Sequence, residues 1–348
     1  MKKRISVLVA AVLAIGCLAT ACGNENAGGE VSVGLGLHTQ MNYSSKDSKD
    51  GADGLAQADL TVAAVTLNAD GTIASIKVDA IQVKTAFDAT GTLKDTNATE
   101  FKTKRELGND YNMKGASQGK GQIEGGAEWF EQADAFEAWA KGKTLAQVEA
   151  AMGADQYPTD EQLLAGCTMK INGFVAATKK AITEAQAGTY KASASDKLSI
   201  GMVAVADGPK SATADAAGAV TAYANFTAVT SDASGKITCC VLDSVQAKFA
   251  WDATGKITSD LTVDTTTKYD LKEGYNMKGA SQGKGKIEGG AEWYEQADAF
   301  MGFVKGKTVD QVKAIAVDDG GYPTDEQLTA GCTMKVTAYI SAVEKALK

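Results

Sequence analysis

The chain has 348 residues, 44% of them hydrophobic, and only three prolines. This composition excludes a disordered or fibrous protein, and the length allows two ordinary hydrophobic cores. The formal net charge of −8 disfavours nucleic acid and anionic lipid headgroups as partners, because like charges repel each other.

The N-terminus has the layout of an export signal. Three basic residues at positions 2–4 precede an apolar run over residues 5–16, and small residues follow before Cys22. The apolar run is too short to cross a bilayer as a mature transmembrane helix. The sequence therefore predicts a signal peptide over residues 1–21.

The end of this signal, Leu-Ala-Thr-Ala-Cys at residues 18–22, resembles a bacterial lipobox. In a lipobox the cysteine is lipidated and becomes the new N-terminus. Cys17 is a competing cleavage position, but the polar residues after Cys22 favour a flexible tether over residues 22–32. We therefore expect a lipid anchor on Cys22, on the outer face of the cytoplasmic membrane.

Three segments rich in Val, Ile and Thr follow the tether. They cover residues 31–37, 60–67 and 73–86, and an Asn-Ala-Asp-Gly turn at 68–71 separates the last two. Such segments around a short glycine-containing turn predict antiparallel strands.

Helical periodicity begins at Trp129. Trp129, Ala133 and Phe136 are spaced to share one helical face. A shorter helix is predicted near residues 145–152. The last helix is predicted to begin at the motif YPTDEQLLAGCTMK, residues 157–170.

The whole pattern occurs twice. Residues 111–136 and 275–300 agree at 24 of 26 positions, and the motif returns as YPTDEQLTAGCTMK at 322–335. A repeat of about 165 residues is far longer than a solenoid or propeller unit, so it indicates two whole domains.

The second half repeats the strand segments at 198–206, 220–230 and 237–250. The small, polar residues 187–197 are predicted to be a linker. The predicted fold class is α+β, with two tandem homologous domains, each an antiparallel β-sheet followed by helices. We call residues 33–186 the first copy and residues 198–348 the second copy.

Few of the usual catalytic groups are present. His38 is the only histidine, so a Ser/His/Asp triad cannot occur in both copies. The cysteine motifs of haem, iron–sulfur and thioredoxin-like sites are missing, and a conventional zinc site is disfavoured. The other cysteines do not form a disulfide pattern and are predicted to be buried thiols: Cys167, Cys239, Cys240 and Cys332.

One threonine in each copy has an unusual position. Thr168 and Thr333 both follow Ala-Gly-Cys, where a loop is predicted to give way to the last helix. The free N–H groups and the dipole of a helix N-terminus favour a phosphate at such a point. The simpler interpretation is an ordinary threonine N-cap, and these residues alone leave both interpretations open.

The two segments AGCTMKINGFVAATKKAI (165–182) and AGCTMKVTAYISAVEKAL (330–347) resemble the flavinylation motif of FMN-binding-domain proteins. In that family a Ser/Thr-Gly-Ala-Thr-like sequence opens a helix, and a flavin transferase joins FMN to the threonine through a phosphoester. The resemblance implies two covalent FMN groups, one on Thr168 and one on Thr333.

Further flavin contacts are expected near each threonine. The glycine-rich loop predicted at residues 112–121 allows the backbone to approach a flat ring or an anion. Trp129 and Trp293 could stack on the flavin, although an apolar helical face equally suits the core. The candidate contacts are Met113, Lys114, Gly115, Trp129 and Cys167 in the first copy, and Met277, Lys278, Gly279, Trp293 and Cys332 in the second.

The family usually has an acid about six residues before the modified threonine, whereas Asp160 and Asp325 lie eight residues before it. A structural role is the alternative for these acids. Residues 159–162 and 324–327 read Thr-x-x-Gln, which fits a capping box at a helix N-terminus.

The resemblance implies a function in electron transfer. Two such domains behind a lipobox are similar to the lipoproteins of Gram-positive extracellular electron transfer. A quinol-linked membrane donor would reduce the flavins, which would pass electrons to soluble flavin, ferric iron or a partner reductase. Two alternatives stay open: a tandem ligand- or partner-binding lipoprotein without flavin, and an FMN-dependent reductase with an organic substrate.

Overall fold

The computed structural model describes residues 29–94 and 100–348. Within them the structure confirms the predicted α+β class, with two antiparallel sheets of four strands each and helices after the long strands. Cys22, the signal peptide and most of the predicted tether lie outside the described residues. Among the described residues, no helix combines the length and apolar character needed to cross a bilayer.

The first copy opens with three long strands that coincide with the three predicted segments. The predicted glycine-rich loop differs, because residues 114–118 form a short helix. The elements are β1 (Glu30–Gln40), β2 (Gly54–Leu67), β3 (Ile73–Phe87), β4 (Glu100–Phe101), α1 (Lys104–Leu107), a 3-10 helix (Gly108–Tyr111), α2 (Lys114–Gln118), α3 (Trp129–Ala140), α4 (Leu145–Ala150), α5 (Glu161–Leu164) and α6 (Asn172–Ala187).

The second copy repeats this order, except that the described residues contain no counterpart of β4 between its third long strand and its first helix, and a short strand precedes it in the predicted linker. The elements are β5 (Tyr190–Ser193), β6 (Lys197–Lys210), β7 (Gly218–Ser231), β8 (Ile237–Trp251), α7 (Lys268–Leu271), a 3-10 helix (Lys272–Tyr275), α8 (Lys278–Gln282), α9 (Trp293–Val304), α10 (Val309–Lys313), α11 (Glu326–Thr329) and α12 (Thr337–Leu347).

Two short strands each pair with a long strand from the other half of the chain. The sheet orders are β3-β2-β1-β5 and β4-β6-β7-β8. Strand β5 lies within residues 187–197, the predicted linker, and places Tyr190 opposite Val33 of β1. Strand β4 of the first copy places Phe101 opposite Ala204 of β6. The predicted linker therefore covers an edge of the first copy's sheet, and the first copy covers an edge of the second copy's sheet.

The two sheets pack face to face around one shared core, to which all six long strands contribute. At its centre Phe87 and Trp251 stack with their ring centroids 4.5 Å apart and their planes 3° apart. These residues are equivalent, because they pair with Gly54 and Gly218 at the start of β2 and β7. The copies therefore meet in an approximately two-fold arrangement.

The helices cover the outer face of each sheet and enclose a second and a third core. The long helix α6 crosses β1 very closely at Gly36, where a Cβ atom would collide with the carbonyl oxygen of Ala177. Helix α12 crosses β6 in the same way at Gly201, against Ala342. Glycine at these two positions allows each helix to lie on its sheet.

Candidate functional site

Thr168 lies in a small buried polar site, with 3% of the residue exposed. Gln132 of α3 accepts hydrogen bonds through Oε1 from the backbone N–H groups of Thr168 at 2.8 Å and Met169 at 3.2 Å. The Thr168 hydroxyl lies 3.4 Å from Gln132 Oε1 and 3.4 Å from Ser117 Oγ. These two distances are long for O–H···O bonds. The glutamine thus fixes the backbone and holds the hydroxyl only weakly.

The same site is built in the second copy. Gln296 Oε1 accepts from the Thr333 N–H at 2.8 Å and from the Thr333 hydroxyl at 3.1 Å. Ser281 Oγ lies 3.4 Å from that hydroxyl. Each glutamine is itself held, because its Nε2 donates to the carbonyl of Ala127 at 3.1 Å or of Ala291 at 3.0 Å.

The interpretation of these threonines as N-caps is wrong. Helix α6 begins at Asn172 with Ile171 as its N-cap, and α12 begins at Thr337 after Val336. The backbone N–H groups of the threonines point to a glutamine rather than to an open helix end.

The capping boxes predicted at residues 159–162 and 324–327 are also wrong in detail. The N-cap of α5 is Asp160, whose carboxylate accepts from the N–H groups of Gln162 and Leu163. Asp325 caps α11 in the same way. A carboxylate at the N-cap satisfies the free N–H groups directly. These acids therefore have a structural role, and each N-cap lies one residue after the threonine predicted for it.

A cleft of about 260 Å³ opens beside Thr168. Asp59 and Thr61 of β2 line it, and they alternate with Leu60 and Val62 of the core between the sheets. Because side chains alternate along a strand, the cleft lies on the outer face of the sheet. Its aromatic lining consists of Tyr43, Tyr111, Trp129, Tyr157 and Phe174.

Two lysines line the same cleft as Thr168. Lys120 lies 4.2 Å and Lys170 6.0 Å from the centroid of the Tyr157 ring. The second copy repeats this arrangement with Tyr322, whose ring centroid is 4.1 Å from Lys284 and 5.6 Å from Lys335. A pair of ammonium groups beside a hydroxyl suits an anionic phosphate.

The second copy has large side chains in the region that corresponds to the cleft. Tyr339 is 3% and Lys268 5% exposed. The Lys268 amine donates to the Tyr223 hydroxyl at 2.9 Å and lies within 5.7 Å of the Tyr223, Tyr275 and Trp293 ring centroids. Burial lowers the pKa of Lys268 to about 8.

Of the predicted contacts in the first copy, the structure brings Met113 and Trp129 to the cleft with Thr168. Trp129 is also part of the core, so both interpretations hold for it. Lys114 and Gly115 are exposed on α2, and neither lines the cleft.

The equivalent residues of the second copy divide in the same way. Trp293 and Cys332 belong to the buried core, and Met277 packs against it. Lys278 and Gly279 are exposed on α8. Of the predicted contacts, only the tryptophan and the methionine of the first copy therefore line a cleft together with the threonine.

The four cysteines within the described residues are free and buried, as predicted. Cys167 does not line the cleft. Burial raises the pKa of Cys167 and of Cys332 to about 12, so both are inert thiols at neutral pH. Within the same part of the chain, no cluster of His, Cys, Asp or Glu could hold a metal ion.

Sequence reasoning missed much of the cleft wall, including Tyr43, Asp59, Gln82 and Phe174. The first three lie on the strands and on the loop after β1, far from Thr168 in sequence. No local signal marks them. Gln132 and Ser117 could have been found, because both lie in the nearly identical block that ends at Phe136.

Comparisons with protein-family models, with curated proteins and with solved structures found no significant match.

Proposed function

We propose that this protein is a lipid-anchored extracellular electron carrier that bears two FMN groups, one on Thr168 and one on Thr333, through phosphoester bonds. The observation that carries the proposal is the duplicated threonine site. In both copies a buried threonine hydroxyl lies 3.4 Å from a serine hydroxyl, a glutamine Oε1 holds the threonine N–H, and a lysine pair flanks the tyrosine of the repeated motif. A purely structural threonine does not require this set of groups.

The phosphate end of FMN fits the residues of each threonine site. A phosphodiester on Thr168 would carry a negative charge beside Lys120 and Lys170, which line the same cleft. Charge-assisted contacts of this kind are stronger than neutral ones. Gln132 would keep the threonine backbone in place during and after attachment, because it binds two consecutive N–H groups.

The ring end of FMN fits the cleft of the first copy. Trp129 and Phe174 supply an apolar edge-to-face pair with ring centroids 5.5 Å apart. Asp59 and Gln82, joined by a hydrogen bond of 2.6 Å, supply polar groups on the opposite wall. An apolar pocket with a few oriented polar groups is typical of a cofactor site.

When bound, the flavin would supply the redox chemistry, since it takes up and releases electrons singly or in pairs. The protein would tether it, orient it and exclude water from part of it. We expect a quinol-linked membrane donor, and soluble flavin, ferric iron or a partner reductase as acceptor. A flavin transferase would be needed for maturation. Covalent attachment prevents loss of the cofactor outside the cell.

The test is the intact mass of the mature protein from a host with an active flavin transferase, with flavin fluorescence on a denaturing gel. We expect a mass gain of two FMN phosphoesters. Thr168→Ala and Thr333→Ala should each remove one, and the double variant both. Thr183→Ala is the matched control, because this exposed threonine of α6 bonds only to the Lys179 carbonyl. A wild-type protein without added mass contradicts the proposal.

A further inference from the structure

The two copies agree at the threonine and differ beside it. The glutamine, serine, tyrosine and lysine pair around the threonine are the same in both copies. The side chains on the outer face of the sheet and on the last helix differ at two key positions. In the first copy both positions line the cleft.

The first difference lies on the sheet. Asp59 of β2 pairs with Gln82 of β3, and Tyr223 of β7 pairs with Gln246 of β8, so Asp59 and Tyr223 are equivalent. The Asp59 carboxylate accepts from the amide groups of Gln57 at 2.9 Å and Gln82 at 2.6 Å. These bonds hold the short carboxylate against the sheet. Tyr223 instead places a ring at this position.

The second difference lies on the last helix, six residues after each threonine. It is Phe174 in the first copy and Tyr339 in the second. The Tyr339 hydroxyl accepts from Trp293 Nε1 at 3.1 Å. Phe174 has no hydroxyl and offers Trp129 no such partner. The indole edge that Tyr339 covers in the second copy therefore faces the cleft in the first.

Lys268 lies beside Tyr223, Tyr275 and Trp293. Its amine bonds to Tyr223 and lies 4.6 Å from the Tyr275 ring centroid and 5.7 Å from that of Trp293. The equivalent Lys104 lines the open cleft instead, 4.7 Å from the Tyr111 ring centroid and 5.4 Å from that of Trp129. The contacts with the tyrosine and the tryptophan are therefore matched in the two copies. The second copy adds the hydrogen bond to Tyr223 and the contact with its ring, whose centroid lies 4.5 Å from the Lys268 amine.

We propose that the two copies hold the isoalloxazine ring differently, an inference that rests on the proposed function. The first copy takes the ring into its cleft, against Trp129 and Phe174. The second copy excludes the ring, because Tyr223, Tyr339 and Lys268 fill the corresponding space. The flavin on Thr333 therefore lies outside, on the rim, open to water and to soluble acceptors. The Thr168 flavin is the shielded one.

The first test measures collisional quenching of flavin fluorescence by iodide in two single-flavin proteins, Thr333→Ala and Thr168→Ala. We expect the quenching constant of the flavin on Thr168 to be several-fold smaller than that of the flavin on Thr333. Equal constants, or a more accessible flavin on Thr168, overturn the proposal. Intact mass establishes in the same samples that one FMN is bound.

Exchanging the wall residues gives a matched pair of variants. Tyr223→Asp with Tyr339→Phe, in the Thr168→Ala protein, should lower the accessibility of the Thr333 flavin towards that of the first copy. Asp59→Tyr with Phe174→Tyr, in the Thr333→Ala protein, should raise the accessibility of the Thr168 flavin. If the second pair does not fold, judged by far-UV circular dichroism, the first pair decides. Unchanged accessibility in a folded exchange variant contradicts the proposal.

Riboflavin titration of the unmodified full chain separates the two proposals. Riboflavin has the ring and no phosphate, so its binding does not depend on attachment. We expect one saturable site per chain, lost in Asp59→Tyr/Phe174→Tyr, and a second site gained in Tyr223→Asp/Tyr339→Phe. Absence of covalent FMN overturns the proposed function, whereas two sites or none in the wild-type chain overturn the asymmetry.

Discussion

The first and second copies share a threonine site but differ in the ion pairs and hydrogen bonds that hold the neighbouring helices in place. In the first copy Arg105 bonds to Glu137 at 2.6 Å and to Asp134 at 2.7 Å, and Lys77 also pairs with Glu137 at 2.6 Å. In the second copy Tyr269 occupies the position of Arg105. It donates to Asp298 at 2.9 Å and accepts from Tyr190 of β5.

This difference shows what the duplication has kept and what it has changed. A charged network joins α1 and α3 to β3 of the first sheet. In the second copy two tyrosine hydroxyls and a carboxylate join α7 and α9 to β5, at the edge of the first sheet. Both supports place the same glutamine beside the same threonine. Substitutions in these two sets of contacts should therefore act differently on stability. Four experiments compare equivalent positions of the two copies.

The largest difference is expected in the pH dependence of two buried carboxyls. Burial raises the pKa of Asp79 to about 6 and that of Asp243 to about 7. Asp79 has Arg105 as a neighbour, which limits its shift, and Asp243 has Tyr269 at that place. An acid with a raised folded pKa favours folding below its unfolded pKa, and this contribution is lost as pH rises through the folded value.

Between pH 4 and pH 8, therefore, the free energy of unfolding should fall by about 4 kcal/mol through Asp243 and about 2 kcal/mol through Asp79. Asp243→Asn and Asp79→Asn should remove these components from urea unfolding curves measured across that range. The comparison fails if Asp79→Asn flattens the pH profile more than Asp243→Asn does.

The close helix crossings should be equally sensitive in both copies. Gly36→Val and Gly201→Val place a side chain against the backbone of α6 and α12, and each should lower the free energy of unfolding by about 3 kcal/mol. Urea unfolding measures both. Gly274→Ala is a control, because a Cβ there meets nothing within 4 Å. A tolerated valine at either crossing would show that the helix is not held against its strand.

Loss of the charged network should cost less, since Lys77 remains with Glu137. Arg105→Gln leaves the buried Glu137, 7% exposed, with one cationic partner fewer, and we expect a loss of about 2 kcal/mol. Tyr269→Phe in the second copy removes only hydroxyl bonds and should cost about 1 kcal/mol. Thermal unfolding at pH 7 compares the two. A greater loss for Tyr269→Phe than for Arg105→Gln would contradict the expectation that the charged network contributes more to stability.

The smallest effect is expected on the exposed surface of the third helix. Gly302 of α9 stands where the first copy has Ala138 in α3, and both positions are exposed. Gly302→Ala should stabilise the protein by about 1 kcal/mol, because alanine is the better helix former. Ala138→Gly should destabilise it by a similar amount. Opposite signs in one urea series confirm that the two helices are equivalent.

Much of this fold was predictable from local pattern. The six long strands follow runs of Val, Ile and Thr, and α3 and α9 follow the spacing of Trp129 and Trp293 with their apolar partners. The short strands β4 and β5 were not predicted, since each has only a few residues and depends on pairing with the other copy. Pairing across copies leaves no periodicity in the chain.

The candidate site was likewise predicted only in part. The threonines and Trp129 were predicted from the repeated block, and the structure brings Thr168 and Trp129 to one cleft. Asp59 and Tyr223 were not, because their equivalence depends on strand register, and their roles depend on what packs opposite them. The difference between the copies beside the threonine lies in such residues, outside the nearly identical residues 111–136 and 275–300.

The proposed transfer of electrons from flavins on Thr168 and Thr333 to an outside acceptor is measured by anaerobic reduction of the purified protein, removal of the reductant, and mixing with ferric citrate while flavin absorbance and ferrous iron are followed. We expect the flavin to be reoxidised as ferrous iron appears, with two electrons per bound FMN, and the Thr168→Ala/Thr333→Ala protein to produce no ferrous iron. A wild-type protein without flavin absorbance, or with flavin that stays reduced, would contradict the proposed function.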